Sequence, residues 1–502
     1  MLRARSFYVQ GLVEVLAFHV QNALGLSRDT LLFAAAGRFA LDVPDDAPDL
    51  TSLLRQVREF VEEALLKDTA GALNFSLAAE SFSGAKHPSI ADRYQTALAA
   101  LAVEKQRPWR AYGAPGGRWD PQRLVLRNAG DAQRPDKFRE IGKVLPRSRY
   151  LLIAAGDDAP FGSSVLASFG LLGYRALLVE DVPNNVLKRA ALVADLSGGT
   201  LDRHPAIANR IGRPLARHVP LDSSGAPSLF EDLAWQARGA PFMGVLKMDI
   251  DSLGPAFQRQ LQSASSSQQL ADMSRSVDEF FAIELDQMLR SQQWQSIYTI
   301  FSGGDDLLLV GPWNIMLDFA GVVRAAFAKR FGHQKLTLSG GLALVKYRHP
   351  IRRSAGQADE LLESAKTRNG PGETSPKDQM AALGQIWKWE RHDTILAEAR
   401  RLADWVENGL FQRGWLHTML QHTLLRRGEA RADGSARITS RLAYHIARNY
   451  PRAVDRDPDR RAVREWADGV AGAFDCFDGE DATVRYLPVI LRYALLATRR
   501  PV

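Results

Sequence analysis

Cysteine occurs once in the 502 residues, at Cys476, so a disulfide within the chain is excluded, and so is a cysteine-rich zinc site. No apolar run approaches the ~20 residues of a membrane-spanning helix, and no membrane partner is expected. Low-complexity tracts are absent. The N-terminal Met-Leu-Arg-Ala-Arg-Ser-Phe leads into an amphipathic pattern instead of a signal peptide. Together these absences point to a globular protein of a reducing cytoplasm. Among the histidines only His392 is followed by aspartate, and no ligand-spaced partners surround that pair. His392-Asp393 therefore reads as a surface coincidence, and Cys476 as a small core or boundary residue.

What is present suffices for several cores. The apolar fraction is 46%, and the length allows three or four domains at roughly 100–200 residues each. Lys and Arg number 64 against 57 Asp and Glu, a net charge of +7. That excess is mild and ordinarily a solvated surface. Clustering of arginine late in the chain adds an expected contact with nucleic acid or nucleotide.

Two acidic stretches carry the chemistry. Ser296–Gly311 has two apolar, β-favouring runs, Ile297–Phe301 and Leu307–Val310, about Gly303-Gly304-Asp305-Asp306. That pattern predicts a hairpin. Adjacent carboxylates on a turn repel each other and become useful around a hard divalent cation such as Mg²⁺ or Mn²⁺. Upstream, Val245–Ile250 reads as a buried strand that brings Asp249 and Asp251 to its C-terminal end, on one face. A strand and a hairpin that both carry carboxylates suit two-metal phosphoryl chemistry. Asp249 and Asp305 would hold the metals, with the Ile250 carbonyl as a further ligand. Asp306 would complete the coordination or help to deprotonate an attacking hydroxyl. Gly303 and Gly304 would cradle phosphates through backbone N–H groups, and Lys366, closing the helix Ser354–Lys366, would neutralise a triphosphate.

The hairpin has a silent copy. Asp29–Val43 again places two apolar runs about a small-residue turn, and an offset of 268 residues takes Gly37 onto Asp305. A helix follows in both copies (49–66 and 314–331), and a further strand, Leu73–Ser76, pairs with Leu336–Ser339 at an offset of 263. The chain is thus expected to hold two related domains, the first without its acidic pair. The same offset sends Asp249 to position −19, so the first domain is expected to begin without its opening strand, with truncation or another polypeptide as the explanation. Elsewhere, Ala91–Glu104 and Pro135–Val144 read as helices, Tyr150–Ala154 and Leu172–Leu178 as strands. The chain reads as wholly helical from about Gln385, with Trp387 and Trp389 packing a helix junction.

The order of strand, helices, Gly-Gly-Asp-Asp hairpin, helix, strand and lysine-ending helix is the palm layout of polymerases and nucleotide cyclases. More specifically, the chain resembles the large subunit of type III CRISPR effector complexes, closest to type III-A. The residues that carry this are Leu2–Phe7, Ala35–Phe39, Leu246–Gly254, Leu338–Leu344 and, most discriminating, Ser302-Gly-Gly-Asp-Asp-Leu-Leu-Leu-Val-Gly-Pro-Trp313. The resemblance implies an α+β fold with two ferredoxin-like palm domains, a small α/β domain between them and a C-terminal helical domain. The expected spans are 1–134, 135–215, 216–392 and 393–502. It implies conversion of ATP to 3′–5′ cyclic oligoadenylates once target RNA binds, with Asp249, Asp305 and Asp306 as catalytic acids. Ser302, Gly303, Gly304, Lys366 and Phe257 would contact the nucleotide, Phe257 as an adenine-pocket wall unless it packs in the core. The second ATP would lie towards the silent copy. Implied partners are guide and target RNA, the small subunits and the repeat-handling subunit. The competing readings are a stand-alone nucleotide cyclase, which would work without RNA, and a catalytically silent scaffold.

The chain departs from the family pattern in having no HD-type nuclease motif and no cysteine zinc site. A separate chain is one source for the nuclease and for the missing strand. The purified chain is accordingly expected not to cleave single-stranded DNA. Metal-dependent cleavage that His392→Ala abolishes is the opposite result.

Overall fold

The computed structural model describes the chain except residues 1, 28–29, 36, 45–49, 70, 83–89, 115–117, 121, 123–134, 155–164, 182–189, 198–209, 213–214, 257–266, 429–439, 441–443, 446, 449–456, 476–481 and 500–502. Phe257 and Cys476 lie outside the described residues. Two compact units divide the chain: Met1–His218 with Ser252–Arg290 and Thr299–Asp305, and Val219–Asp251 with Ser291–Tyr298 and Asp306–Val502. No helix among the described residues is long and apolar enough to cross a membrane.

In the first unit, α1 (Leu2–Ala23) buries the predicted stripe of Phe7, Leu12, Val15, Leu16 and Val20. The silent hairpin forms as β1 (Leu31–Ala35) and β2 (Arg38–Leu41), antiparallel, followed by α2 (Leu50–Thr69) and then α3 (Ile90–Lys105). The expected strand at Leu73–Ser76 does not form. In the acidic copy its counterpart is held by a long neighbouring strand. Here β1 and β2 make a sheet of two strands only, which offers no such neighbour. Beyond α4 (Pro135–Val144), β3 (Tyr150–Ala154), β4 (Val165–Leu171), β5 (Tyr174–Val179), β6 (Leu192–Asp195) and β7 (Arg210–Gly212) form a sheet of order β4-β5-β3-β6-β7. One continuous core joins α1, α2 and α4 to this sheet through Phe7, Val61, Phe138, Leu151 and Leu178.

The expected strand Leu172–Leu178 is broken at its start. Leu172 and Gly173 have φ of 50° and 75°, the left-handed pair that a two-residue hairpin turn requires. The same device corrects the C-terminal reading. Leu383 and Gly384, with φ of 50° and 74°, turn β12 (Gln379–Ala382) into β13 (Gln385–Lys388). Among the described residues the C-terminal helices therefore begin at His392, not at Gln385.

The second unit is built on β8 (Phe242–Asp251), whose Val, Leu, Met and Ile residues are buried between two antiparallel neighbours. These are β10 (Asp306–Pro312) and β11 (Thr337–Lys346); β9 (Tyr298–Gly303) is the other arm of the hairpin. The full order is β13-β12-β11-β8-β10-β9. Its last four members follow the split βαβ, ferredoxin-like order. Along the chain, α5 (Ser267–Glu279, continued by a π-helical turn Phe280–Glu284 and Leu285–Leu289) comes between β8 and β9 and belongs, with most of β9, to the first unit, while α6 (Trp313–Phe331) and α7 (Ile351–Thr367) follow β10 and β11 in the second. The helices that follow include α8 (His392–Glu407), α9 (Arg413–Gly428), α10 (Pro458–Asp475) and α11 (Ala482–Ala497).

His392, expected at the surface, is buried in this unit. Its Nε2–H donates to the Leu317 carbonyl at 3.0 Å, and its Nδ1 accepts from the Trp387 indole at 3.1 Å. Trp389 donates its indole N–H to the Leu338 carbonyl at 2.7 Å. Both ring nitrogens of His392 are committed to the core, which fixes one neutral tautomer.

Burial pushes His392 down to about 4, against 6.5 when unfolded. The unfolded chain therefore takes up a proton that the folded chain refuses. Stability is full above pH 6.5, falls as pH drops below it, and the loss, up to about 3 kcal/mol, is complete near pH 4. Guanidinium unfolding followed by tryptophan fluorescence at pH 7.5, 5.5 and 4.5 should show this slope, and His392→Gln should flatten it. An unchanged slope in the variant would assign the effect elsewhere.

Candidate active site

The centre of the site is a register. β10 runs antiparallel to β8 with Asp306 directly opposite Asp249 and Leu307 opposite Met248. On the other side of β8, Ser339 of β11 is the partner of Asp249. Directly opposed residues share a face, with Cβ atoms roughly 4.5–5.5 Å apart, and like charges there destabilise the pairing. Asp305 is the turn residue next to Asp306 in the chain.

Cations from α7 and β8 answer this repulsion. The Lys366 ammonium, near the end of α7, donates to the Asp249 carboxylate and lies 3.3 Å from the Ile250 carbonyl oxygen. Lys247, two residues before Asp249 and so on the same face, pairs with Asp359, seven residues before Lys366 on α7. Burial pulls Lys247 down, but Asp359 and the fields of Asp306 and Asp249 outweigh it and hold the ammonium above its ordinary value. A single glycine lets α7 come this close. A Cβ on Gly341 of β11 would lie 2.3 Å from the Leu362 backbone nitrogen and 2.4 Å from the Ala358 carbonyl oxygen, so helix backbone rests directly on strand backbone.

Asp251, the second acid of the strand motif, has a different environment. It is buried and accepts from Thr337 Oγ1 at 2.8 Å, Ser339 Oγ at 2.8 Å and the Asp378 backbone N–H at 3.0 Å. Three donors satisfy it as an anchor for the Lys377-Asp378 loop, and Asp378 in turn pairs with Arg324 at 3.1 Å. The Ser302 hydroxyl is buried and donates to the Phe281 carbonyl, inside the π-helical turn. The Gly304 N–H donates to the Asp278 carboxylate at 3.0 Å.

Sequence reasoning missed Lys247, Asp359 and Asp278. The period-2 spacing of Lys247 and Asp249 was a usable signal for the first. Nothing local marked Asp278, which lies 26 residues from Gly304.

The donor set suits a hard cation, since the Asp249 carboxylate and the Ile250 carbonyl already converge on one cationic group. Among the described residues no group of three or more His, Cys, Asp or Glu side chains has metal-holding geometry.

Comparisons with known proteins match the same regions. The model of the second palm domain of Cas10/Cmr2 matches residues 242–378, and that of Csm1 subunit domain B matches residues 1–113. The Cas10/Csm1 single-strand-specific deoxyribonuclease (subtype III-A) of Thermococcus onnurineus is 26% identical over 93% of this chain and 66% of its own length. The corresponding protein of Mycobacterium tuberculosis is 25% identical over 89% of this chain and 59% of its own. That of Enterococcus italicus is 33% identical over 42% and 26% respectively. Thus the chain spans no more than about two thirds of these relatives. The fold matches a Csm1–Csm4 cassette in complex with one ATP at a TM-score of 0.73 and 21% identity, over 99% of this chain and 66% of that one. A cassette in complex with cA4 matches at 0.71 and 21%, with the same coverage. Two family models in separate parts of the chain, and relatives aligned along nearly all of it, lead to one reading: the chain matches a Csm1 domain B and a Cas10/Cmr2 second palm domain, and it is similar along its length to the Cas10/Csm1 proteins of subtype III-A CRISPR systems.

Proposed function

We propose that this chain converts ATP to 3′–5′ cyclic oligoadenylates by nucleotidyl transfer, as the synthase subunit of an RNA-guided type III-A effector that responds to target RNA. The carrying observation is the register that sets Asp306 against Asp249. Crystals of Csm1–Csm4 cassettes with the same fold contain ATP, pppApA and cA4, which are a substrate, a linear oligoadenylate and a ring.

In the proposed reaction a ribose 3′-oxygen attacks the α-phosphate of ATP. The new 3′-O–P bond forms as the bond to the β-phosphate bridge breaks, and pyrophosphate leaves. Asp306 takes the hydroxyl proton on a carboxylate oxygen. Lys366 meets the negative charge of the triphosphate, and Gly303 offers the phosphates an approach without a Cβ, while the Gly304 N–H is held by Asp278. Mg²⁺ or Mn²⁺, held by Asp249, Asp305, Asp306 and the Ile250 carbonyl, would neutralise the α-phosphate and acidify the 3′-hydroxyl. Ring closure repeats the same step within one product chain. The partners in this reading are guide RNA, target RNA, a Csm4-type subunit and the small subunits.

The test uses the assembled complex with target RNA, ATP and Mg²⁺ or Mn²⁺. Asp305→Ala/Asp306→Ala should lower oligoadenylate formation by about 100-fold or more while leaving RNA binding intact. Equal product from the variant and the wild type would remove the reading.

A further inference from the structure

Asp249 and Ile250 offer two oxygens to a cation, and the chain itself already supplies one. The Lys366 ammonium contacts the Asp249 carboxylate and reaches the Ile250 carbonyl at 3.3 Å. An ammonium and a divalent ion cannot both hold this pair of oxygens, because two cations at one carboxylate oxygen repel strongly at such a distance. The lysine is placed to move. Its side chain is long and has rotatable bonds throughout, and it stands in the last turn of α7, so it can swing without displacing the helix. The helix keeps a second tether to the same strand in Lys247–Asp359, and its backbone stays seated over Gly341.

We propose that Lys366 is the resident cation of the acid site: it shields Asp249 from Asp306 until a divalent ion takes those oxygens, and then turns its ammonium to the phosphates of the incoming nucleotide. This rests on the metal-dependent reading above and adds an exchange to it. The same charge serves two anions in succession, first the Asp249 carboxylate and then the triphosphate. Without such a placeholder, Asp249 would lose its ammonium partner while still set opposite Asp306, at a cost to the β8–β10 pairing. Loading of metal and loading of nucleotide become coupled, because the first frees the group that assists the second.

The exchange predicts effects of opposite sign from one substitution. Mn²⁺ is titrated into the full chain without nucleotide and followed by electron paramagnetic resonance. Lys366→Met, with Lys366→Gln as a second variant, should bind Mn²⁺ roughly tenfold more tightly than wild type, within the ordinary range of coupling between two sites. The same variants should bind a non-hydrolysable ATP analogue more weakly at fixed Mg²⁺. A merely structural lysine would, on removal, weaken both. Lys366→Arg should stay near wild type in the Mn²⁺ titration, since it still pairs with Asp249. If Asp249→Asn abolishes Mn²⁺ binding but the Lys366 variants bind no tighter than wild type, the placeholder role is overturned and the metal reading stands. If Asp249→Asn leaves Mn²⁺ binding unchanged, both are overturned.

Discussion

Two carboxylates set against each other on neighbouring strands form the constraint to which the rest of the site responds. The antiparallel register leaves Asp249 and Asp306 no way to separate without breaking the ladder between β8 and β10. Positive charge must therefore come to them, and α7 brings it on one face, through Lys366 directly and through Asp359, which steadies Lys247. The closeness of α7 traces to the missing side chain at Gly341. A chain of dependence thus runs from one glycine to one helix to one ammonium to one acid pair.

Much of this was legible because it depends on short-range pattern. The hairpin, the Asp-x-Asp strand and the lysine at the end of a helix are each local signals of periodicity and turn chemistry. Where turn chemistry broke its usual rule, the reading failed. Leu172-Gly173 and Leu383-Gly384 both place leucine in the left-handed region, where Asn or Asp is expected. Leu172 is fully buried, so packing outweighs the local backbone preference there. At Leu73–Ser76 the failure was of the opposite kind. The local pattern suits a strand, but a strand needs a neighbour, and the two-stranded sheet of the first unit offers none.

Long-range contacts were the least legible. His392 looked like half of a solvent-exposed pair, yet its ring is enclosed by Trp387, Trp389 and the Leu317 carbonyl. Asp278 carried no signal at all, since a polar residue on an amphipathic helix is ordinarily solvated. Asp251 was legible in position but not in environment. The period of 2 put it on the face of Asp249, and only the structure shows three donors closing on it.

The π-helical turn at Phe280–Glu284 makes the glycine turn sensitive to insertion and deletion. A π turn is in effect a one-residue insertion, and it leaves a carbonyl free of the regular helical ladder. Here the Phe281 carbonyl receives the Ser302 hydroxyl, while Asp278, just before the turn, receives the Gly304 N–H. Removing one residue from this turn would restore a regular helix and rotate everything on one side of it by about 100° relative to the other. The two anchors of the glycine turn could then no longer be satisfied by the same helix. In this segment the placement of both anchors depends on length more than on the identity of any one residue.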